Sequence, residues 1–544
     1  MKIRLSAGCL LAVLGLGYTT SAQAFDLRDL QAPRGLKYPG EAAADEAGRA
    51  VDFIGDINGD GLDDLAFSAV GADRGANGSA GKVYVIFGRS SPFNGFGLDA
   101  GHALLGLADV TILGPTTGQL LGWSVSAAGD YNGDGFDDFI IGGAGNLSNV
   151  APAPTTLIYG RASFPTTIDL QVASPASHFA IGTSTSGSEL GWTVGHTDLN
   201  GDGLDDLLIG DWAAGGTEKG AVHIVFGQSG FLSGVLPLTS LNSTTSPRLV
   251  SFLSQSNFVR FGWAVTGLGD INGDGIDEMA VGMPFFDAER GGVQIIYGRA
   301  NAPGNVLSFA NQQNIDDLTN STGLRLQAGT GELSGGRLGT CVVGGDFDGD
   351  GRADLATGAQ AADPLNRVNA GMAFVLFGAG LNESSAAISL DTLDAAERLR
   401  RIRGAAAGDA TGTAIGNLGD LNRDGRDELA LSAHLADVAG GVDGGRAWIV
   451  EGLPRTASQS LVDLDTASTE IVWTFDGEAT SDVFSFGLQH GPGDYNGDNR
   501  NDLVGGSLGA EVLGQPNNAG AAYLILDPRI ELFADGFEAA AASR

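Results

Sequence analysis

Cysteine is almost absent from this sequence, which has only Cys9 and Cys341 among 544 residues. Because Cys9 lies in an N-terminal segment that has the pattern of a cleaved signal peptide, the mature chain would keep one cysteine and form no intrachain disulfide. The six histidines are scattered and show no metal-ligand spacing. These absences exclude a disulfide scaffold and argue against a zinc site.

Basic residues and long apolar runs are also scarce. The chain has 30 Lys and Arg residues against 65 Asp and Glu residues, which gives a formal net charge of −35. Such a charge disfavours binding to nucleic acid or to anionic lipid. Beyond the N-terminal region no stretch is apolar enough to span a membrane, so we predict no membrane span in the mature chain.

The N-terminus has the pattern of a secretory signal peptide. Lys2 and Arg4 precede the apolar stretch 10–16, and Ala22-Gln-Ala24 forms a small-residue cleavage site. We therefore predict a signal peptide at 1–24 and a secreted protein, placed outside the cell, at the cell surface or in the periplasm. The alternatives are a short membrane anchor and a lipoprotein at Cys9.

Glycine is abundant, with 87 residues, and it recurs with a nine-residue acidic motif. The first copy runs from Asp56 to Asp64, and the others begin at Asp130, Asp198, Asp270, Asp346, Asp420 and Asp494. The separations are 74, 68, 72, 76, 74 and 74 residues. Seven copies at one period indicate a repeat architecture.

Each repeat reads as four short strands. In the fourth repeat these are 261–266, 279–284, 292–298 and a weaker strand near 306–309, with glycine-bounded turns and no helical period. Each repeat opens with a residue pair that ends in glycine. In the seventh repeat this pair is Phe486-Gly487. We predict an all-β, seven-bladed β-propeller of four-stranded blades at 25–528. A solenoid is the structural alternative.

Closure of the ring is predicted to use the N-terminal strand. The seventh unit has a third strand at 523–526 but no clear fourth strand after it. The segment Phe25–Leu30 resembles predicted fourth strands at Ile168 and Ile388. We expect it to complete the last blade and leave no open edge. Residues 529–544 form a C-terminal tail outside the repeats.

The repeated motif is also a candidate calcium site. Calcium takes six to eight oxygen ligands, and odd positions of a wrapping loop supply side-chain oxygens at 1, 3, 5 and 9 and a backbone carbonyl at 7. Magnesium prefers retained water, and the loops hold no His or Cys for zinc. The alternative is a set of polar turns without metal. We predict five to seven Ca²⁺ ions and these ligands: Asp56, Asn58, Asp60, Leu62, Asp64; Asp130, Asn132, Asp134, Phe136, Asp138; Asp198, Asn200, Asp202, Leu204, Asp206; Asp270, Asn272, Asp274, Ile276, Glu278; Asp346, Asp348, Asp350, Arg352, Asp354; Asp420, Asn422, Asp424, Arg426, Glu428; Asp494, Asn496, Asp498, Arg500, Asp502.

The even position 8 and the seventh loop depart from this ligand pattern. Asp63, at position 8, is expected to hydrogen-bond around the site and not to bind the ion. In the seventh loop Asn499 replaces the turn glycine and would adopt a left-handed conformation at some cost. That loop is also the least acidic, so we expect the weakest affinity there.

These features resemble the FG-GAP repeats of the integrin α-subunit propeller. The residues that carry the resemblance are the opening Phe261-Gly262, the Asp-x-Asn-x-Asp-Gly loop, and the segments Gly71-Ala-Asp73 and Gly358-Ala-Gln360. The resemblance covers about residues 25 to 528. It implies a seven-bladed propeller with mainly structural calcium in hairpin loops, and recognition by loops on the opposite face.

The resemblance has limits. The sequence shows no transmembrane helix, inserted domain or leg domains, so integrin-style signalling is not implied. It has more metal loops than a typical integrin α-chain and looks closer to secreted bacterial FG-GAP proteins.

No catalytic residue is predicted. Ser507 lies in a Gly-x-Ser-x-Gly pattern, but in repeat register this is the turn segment of the seventh unit. Trp123, Trp192 and Trp263 recur in the opening strand, which favours a place in the core.

We expect a monomeric, non-catalytic binding or adhesion module for an extracellular protein or glycan. The alternatives are a hydrolase with a site on the propeller top or in the central channel, and a structural component of the cell surface.

Overall fold

The computed structural model describes residues 23–30, 35–75, 78–90, 108–143, 154–172, 177–182, 187–238, 242–243, 246–301, 312–378, 387–395, 398–439, 441–454, 461–466, 471–510 and 519–526. These residues form seven β-sheets that surround a central channel as the blades of a propeller. The predicted all-β, seven-bladed fold is therefore confirmed. The remainder of the predicted signal peptide and the predicted tail at 529–544 lie outside the described residues.

Each blade is named here by the order of its acidic loop, and its strands are given from the channel outwards. Blade 1 has Ala47–Phe53, Leu65–Ala69, Lys82–Ile86, Val110–Leu113; blade 2 has Leu121–Gly129, Asp138–Gly143, Thr155–Ile158, His178–Gly182; blade 3 has Val194–Thr197, Asp206–Asp211, Ala221–Val225, Leu249–Leu253; blade 4 has Val265–Gly269, Glu278–Gly282, Gly292–Ile296, Gly323–Gln327. Blade 5 has Leu338–Gly345, Asp354–Ala359, Met372–Leu376, Leu399–Arg403; blade 6 has Ile415–Asn417, Leu429–Ala433, Arg446–Val450, Ile471–Asp476; blade 7 has Phe484–Leu488, Leu503–Ser507, Ala521–Ile525 and Gly35–Pro39.

The second and third strands are short continuous apolar runs because each blade is covered on both faces by its neighbours. Asp138–Gly143 and Met372–Leu376, for example, are buried at every residue. The core is therefore divided into clusters that lie between consecutive blades, such as the one that joins Tyr38 of blade 7 to Phe67 of blade 1. Removal of this apolar surface from water is the main stabilising contribution.

Six blades carry a fifth strand on the outer edge, which runs parallel to the fourth. These strands are Thr167–Asp169, Gly234–Pro237, Gln312–Asn314, Ala387–Ser389, Leu461–Asp463 and Gln23–Asp26, on blades 1 to 6 respectively. The four strands predicted for a blade are present in all seven blades, and blades 1 to 6 add this fifth strand. The added strands cover edges that would otherwise present unpaired backbone groups.

The sequence assignment of several fourth strands is wrong. Thr167–Asp169 and Ala387–Ser389, which contain Ile168 and Ile388, are fifth strands of the preceding blades. The strand predicted near 306–309 lies outside the described residues, and the fourth strand of blade 4 is Gly323–Gln327. A run of three or four alternating residues shows strand character but does not show which neighbour it pairs with.

Closure by an N-terminal strand is confirmed, but its predicted position is wrong. Gly35–Pro39 is the fourth strand of blade 7 and pairs antiparallel with Ala521–Ile525. The earlier segment Gln23–Asp26 pairs parallel with Ile471–Asp476 of blade 6. Phe25 and Ile168 do occupy equivalent positions, because each lies in a fifth strand: Gln23–Asp26 of blade 6 and Thr167–Asp169 of blade 1.

In blades 1, 2, 5 and 7 the second residue of the first strand has a positive φ, and a register shift follows it; in blades 3, 4 and 6 the positive-φ glycine lies just before the strand. Gly122 has a φ of 89°, and a Cβ there would lie 2.6 Å from the Cβ of Ser68. In blade 7 the equivalent residue is Ser485, with a φ of 66°, because Phe484 pairs with Ser507 as Leu121 pairs with Gly143. The predicted opening at Phe486-Gly487 is therefore wrong by two residues.

The remaining elements are short. They are the α-helices Phe286–Glu289 and Leu390–Ala395, the 3₁₀ helices Leu27–Asp29, Ile315–Asp317, Gly331–Leu333 and Pro364–Asn366, and a ribbon of Asn242–Ser243 with Ser246–Pro247. Among the residues that the structure describes, none of the helices has the length and apolarity needed to cross a membrane.

The closing strand gives a testable prediction. Leu36 is 5 % exposed in the core between blades 7 and 1, so Leu36→Ala should lower the free energy of unfolding by about 2–5 kcal/mol. The matched change Leu461→Ala, at a residue that is 45 % exposed, should cost less than about 0.5 kcal/mol. Urea unfolding in calcium buffer measures both values. Equal effects of the two changes would contradict closure by Gly35–Pro39.

Candidate metal centres

Each acidic loop lies between the first and second strands of its blade and wraps around its position 1 carboxylate. In the first loop Oδ1 of Asp56 accepts hydrogen bonds from the backbone N–H groups of Gly59 at 2.7 Å and Asp60 at 3.0 Å. Oδ2 of Asp56 accepts the N–H of Gly61 at 2.8 Å. Position 1 therefore needs a short side chain with two acceptor oxygens, which is Asp in all seven loops.

The carboxylate at position 9 is fully buried in all seven loops, and in the first five it joins the loop to the end of the third strand. Oδ1 of Asp64 accepts the N–H of Gly88 at 2.8 Å, and Oδ2 accepts the N–H of Ile57 at 3.1 Å. A side chain at Gly88 would collide with Leu62 and with the backbone of the loop, which explains the glycine that ends the third strand. This connection was not predicted from the sequence.

Burial changes the protonation of these carboxylates. It raises the pKa of Asp64, Asp138, Glu278 and Asp354 to about 8, and raises that of Asp206 as well. Neighbouring carboxylates of the same loop add to the shift in each case. A buried carboxylate is costly to ionise unless a cation compensates it.

Several loop oxygens are buried and have no hydrogen-bond partner among the described residues. They are Oδ1 of Asn132, Asn200 and Asn422, at position 3, and Oδ2 of Asp138, at position 9. In the fifth loop, ligand oxygens of Asp346, Asp348 and Asp354 lie within 4.8 Å of one another. Because carboxylate and amide oxygens are the donors that hard cations prefer, the residues present fit a calcium ion.

The sixth and seventh loops depart from the others. In the sixth loop the guanidinium of Arg426 binds Oδ2 of Asp424 at 2.6 Å, so a position 5 ligand is already paired with a cation. In the seventh loop Asn499 has a φ of 61°, which is the left-handed conformation predicted from the sequence. The amide oxygen of Asn496 there accepts the N–H of Asp498 at 2.9 Å. The weaker affinity predicted for the seventh loop stays a prediction, and the ion pair in the sixth loop was not predicted from the sequence.

In several loops the carboxylate at position 8 accepts a hydrogen bond from the loop of the preceding blade. Oδ2 of Asp137 accepts the N–H of Asp56 at 2.9 Å, and Oδ2 of Asp63 accepts the N–H of Asp494 at 2.8 Å. Asp427 accepts the N–H of Asp346 in the same way at 3.0 Å. Asp63 was expected to hydrogen-bond around its own site, but its partner belongs to the neighbouring blade.

Position 7 side chains make a second contact between consecutive loops. Phe136 lies against Gly59 and Leu62 against Gly497, so a Cβ at those position 4 glycines would be 2.7 and 2.5 Å from the ring and the side chain. Glycine at position 4 recurs in six of the seven loops and was the available sequence signal for this packing. The backbone carbonyl at position 7 remains the predicted ligand atom.

The central channel has a cavity of about 490 Å³ on the loop side. Its carboxylates are Asp63 and Asp137 of the loops, and Asp52. Asp52 accepts the N–H of His490 at 2.9 Å and contacts Nδ1 of the same residue at 3.2 Å. Burial opposes protonation of His490, but the hydrogen bond and charge of Asp52 outweigh it and raise the pKa.

Other residues considered from the sequence do not form a reactive site. Ser507 is fully buried in the second strand of blade 7, and its hydroxyl donates to the carbonyl of Asp482 at 2.6 Å. Burial raises the pKa of the Cys341 thiol to about 12. Trp123, Trp192 and Trp263 are half-buried and line the other end of the channel, so their expected place in the core is only partly correct.

Comparison with known proteins gives two kinds of match. The FG-GAP repeat model matches residues 121–150, 190–225, 261–297 and 339–376. The chain is 32 % identical to integrin alpha-5 of Xenopus laevis over 246 residues, which cover 44 % of this chain and 20 % of that protein. It is 32 % identical to phosphatidylinositol-glycan-specific phospholipase D of Bos taurus over 180 residues, 32 % of this chain and 19 % of that protein.

A solved structure, the V. cholerae biofilm matrix protein Bap1, is similar with a TM-score of 0.30 and 10 % identity, over 90 % of this chain and 88 % of that chain. That score is too low to support an inference about fold or function.

The matches cover the repeats, not the whole of the related proteins. The chain spans about a fifth of the length of the two curated relatives. The repeat matches fall on blades 2 to 5, where the first strand, the acidic loop and the next two strands follow in order. The four FG-GAP repeats, the similarity to integrin α-subunits and the seven-bladed architecture together support an integrin-α-like FG-GAP β-propeller.

Proposed function

We propose that this chain is a secreted calcium-binding propeller that acts as a non-catalytic binding or adhesion module. The observation that supports calcium is the set of buried oxygens without hydrogen-bond partners at loop positions 3 and 9. The similarity to integrin α-subunits supports an adhesive role outside the cell or at its surface. We further propose that the protein is a bacterial secreted protein and a monomer. Its partner in this proposal is an extracellular protein or glycan.

Calcium in this proposal is structural. The ligands in each loop would be the side chains at positions 1, 3, 5 and 9 with the carbonyl at position 7. A bound ion supplies positive charge to a loop with three or four acidic side chains. The loop itself supplies the wrap around position 1, the burial of position 9 and the contacts with the preceding blade. An ion that binds only the folded state stabilises all three.

The enzyme alternative is supported by the similarity to a phospholipase D, which extends over 19 % of that protein. The channel offers one carboxylate outside the loops among its described lining residues, Asp52, and it is engaged by His490. A cluster of perturbed carboxylates away from the loops would favour catalysis more strongly. We therefore keep the binding module as the proposed function.

Calcium removal should act through stability. At about 100-fold excess over its dissociation constant, one calcium site contributes roughly 2.7 kcal/mol, so a chelator should lower the melting temperature strongly. Asp202→Ala, in a complete loop, should cost more than Asp498→Ala in the seventh loop. Calorimetric titration of the chelated, refolded protein should give five to seven ions. An unchanged melting temperature after chelation, or fewer than three ions, would contradict structural calcium.

The metal-free protein should lose stability as pH rises. Burial raises the pKa of Asp138 to about 8, whereas an unfolded Asp titrates near about 3.9, so only the native state holds this proton between those values. Its stability therefore falls through that window. Melting temperatures at about pH 5.5 and 8.5 without calcium measure the fall. Asp138→Asn should reduce it, and the exposed control Asp317→Asn should not.

Calcium should reverse this dependence because it binds the ionised carboxylate. Wild type with calcium should lose no stability between the same two pH values. If metal-free wild type and Asp138→Asn show the same fall, the buried carboxylates do not hold a proton and the argument for a compensating cation fails.

The binding role is tested with arrays of glycans and matrix proteins, probed with the calcium-loaded protein. We expect saturable binding of a ligand, and we expect this binding to persist after partial chelation as long as the protein remains folded. Loss of binding at calcium concentrations that leave the melting temperature unchanged would place calcium in the recognition site. Turnover of a glycan or phosphoester by the folded protein would instead favour the hydrolase.

A further inference from the structure

A ring of seven side chains, one from each blade, surrounds the channel at the end away from the acidic loops. Each follows the residue of positive φ, or its equivalent, at the start of the first strand. All seven line a cavity of about 430 Å³. The ring consists of Arg49, Trp123, Trp192, Trp263, Thr340, Thr413 and Phe486.

Tryptophan dominates one side of this ring. The centroids of Trp123 and Trp192 are 4.9 Å apart, and those of Trp192 and Trp263 are also 4.9 Å apart. Trp212 extends the cluster, with its centroid 5.6 Å from that of Trp192. Four of the six tryptophans of the chain thus form one half-buried surface, and three of them face the cavity.

Arg49 closes the ring between blades 7 and 2. Its guanidinium carbon lies 3.8 Å from the ring centroid of Trp123 and 4.5 Å from that of Phe486. Stacking of this kind leaves the in-plane N–H donors available. Among the described residues Arg49 has no hydrogen bond or ion pair, whereas Arg260 and Arg337 nearby bind Glu218 at 2.6 Å and Glu289 at 2.9 Å.

The cavity is unusual for so acidic a chain. Its described lining includes neither Asp nor Glu, although the sequence has 65 acidic residues. Burial lowers the pKa of Arg49 to about 10, so the side chain is charged at neutral pH. His434, also in the lining, stays neutral because burial lowers its pKa to about 4. The charge of exposed Glu46 acts on Arg49 but forms no ion pair with it. A half-buried cation without an ion-pair partner favours an anion from outside.

We propose that this cavity binds an acidic sugar, with its anionic group on the Arg49 guanidinium and its ring against the tryptophans. The proposal rests on the proposed binding role and names the ligand class. Arg binds carboxylate, sulfate or phosphate groups through paired N–H donors. The indole faces supply the flat apolar surface that the C–H face of a sugar ring covers. The volume lies within the range of small-molecule sites, about 300–1,000 Å³.

The experiment uses the fluorescence of the tryptophans, most of which lie at this site. The calcium-loaded wild type is titrated with D-glucuronate, with glucose 6-sulfate and with neutral D-glucose. We expect saturable changes in emission with one or both acidic sugars and at least tenfold weaker binding of glucose. The two acidic arms distinguish a carboxylate from a sulfate ligand.

Three variants locate the binding. Arg49→Gln should weaken binding of the acidic sugar at least tenfold without changing the weak binding of glucose. Trp192→Phe should weaken binding of both, because it reduces the stacking surface. Arg260→Gln, which changes a paired arginine of the same aromatic cluster, is the matched control and should bind as wild type does. Melting temperatures show that each variant is folded.

Three results would overturn the proposal: equal binding of glucose and acidic sugars, unchanged affinity in folded Arg49→Gln, or no binding by wild type. If wild type binds nothing and Arg49→Gln melts at a lower temperature, Arg49 is a structural plug of the channel. A protein that captures another ligand on the arrays but ignores acidic sugars would keep its binding role and lose this site. If the protein binds no ligand on the arrays and no acidic sugar in the titration, the proposed function itself is rejected.

Discussion

The burial of one carboxylate in every acidic loop is the constraint on which the propeller depends. The position 9 side chain is inaccessible to water, and through the N–H of a glycine such as Gly88 it connects the loop to the third strand. In several loops the position 8 carboxylate also accepts a hydrogen bond from the preceding loop, as Asp137 does from Asp56. One short motif therefore holds a blade together and aligns it with its neighbour. It also concentrates negative charge, which is why a bound cation would stabilise the blade and the contact between blades together.

Ring closure also depends on contacts between distant parts of the chain, because it pairs strands from both ends of the sequence. Blade 7 takes its fourth strand from Gly35–Pro39, and blade 6 takes its fifth from Gln23–Asp26. The contact between blades 7 and 1 has the same parallel bridge, Ala47 with Gly520, that joins other neighbours. Among the described residues, the contact that closes the ring is therefore paired in the same way as several contacts between consecutive blades.

The two ends of the channel differ chemically because different positions of the first strand reach them. On the loop side the lining contains the carboxylates of Asp63 and Asp137. On the other side the side chains that follow the positive-φ residue supply tryptophans, hydroxyls and the cation of Arg49. The proposed metal side and the proposed ligand side are thus separated by the length of one strand, so the effects of calcium removal and of ligand loss can be measured independently.

The sequence by itself determined the repeat, its period and the ligand spacing, because these are local patterns of oxygen donors and turn residues. It also predicted the left-handed Asn499 and closure by an N-terminal strand. It could not place that closure at Gly35–Pro39, since a short strand does not specify its partner. The contact of Asp137 with the preceding loop and the ring around Arg49 were decided only by the tertiary structure. They depend on which side chains the circular arrangement brings together from positions about one repeat or more apart.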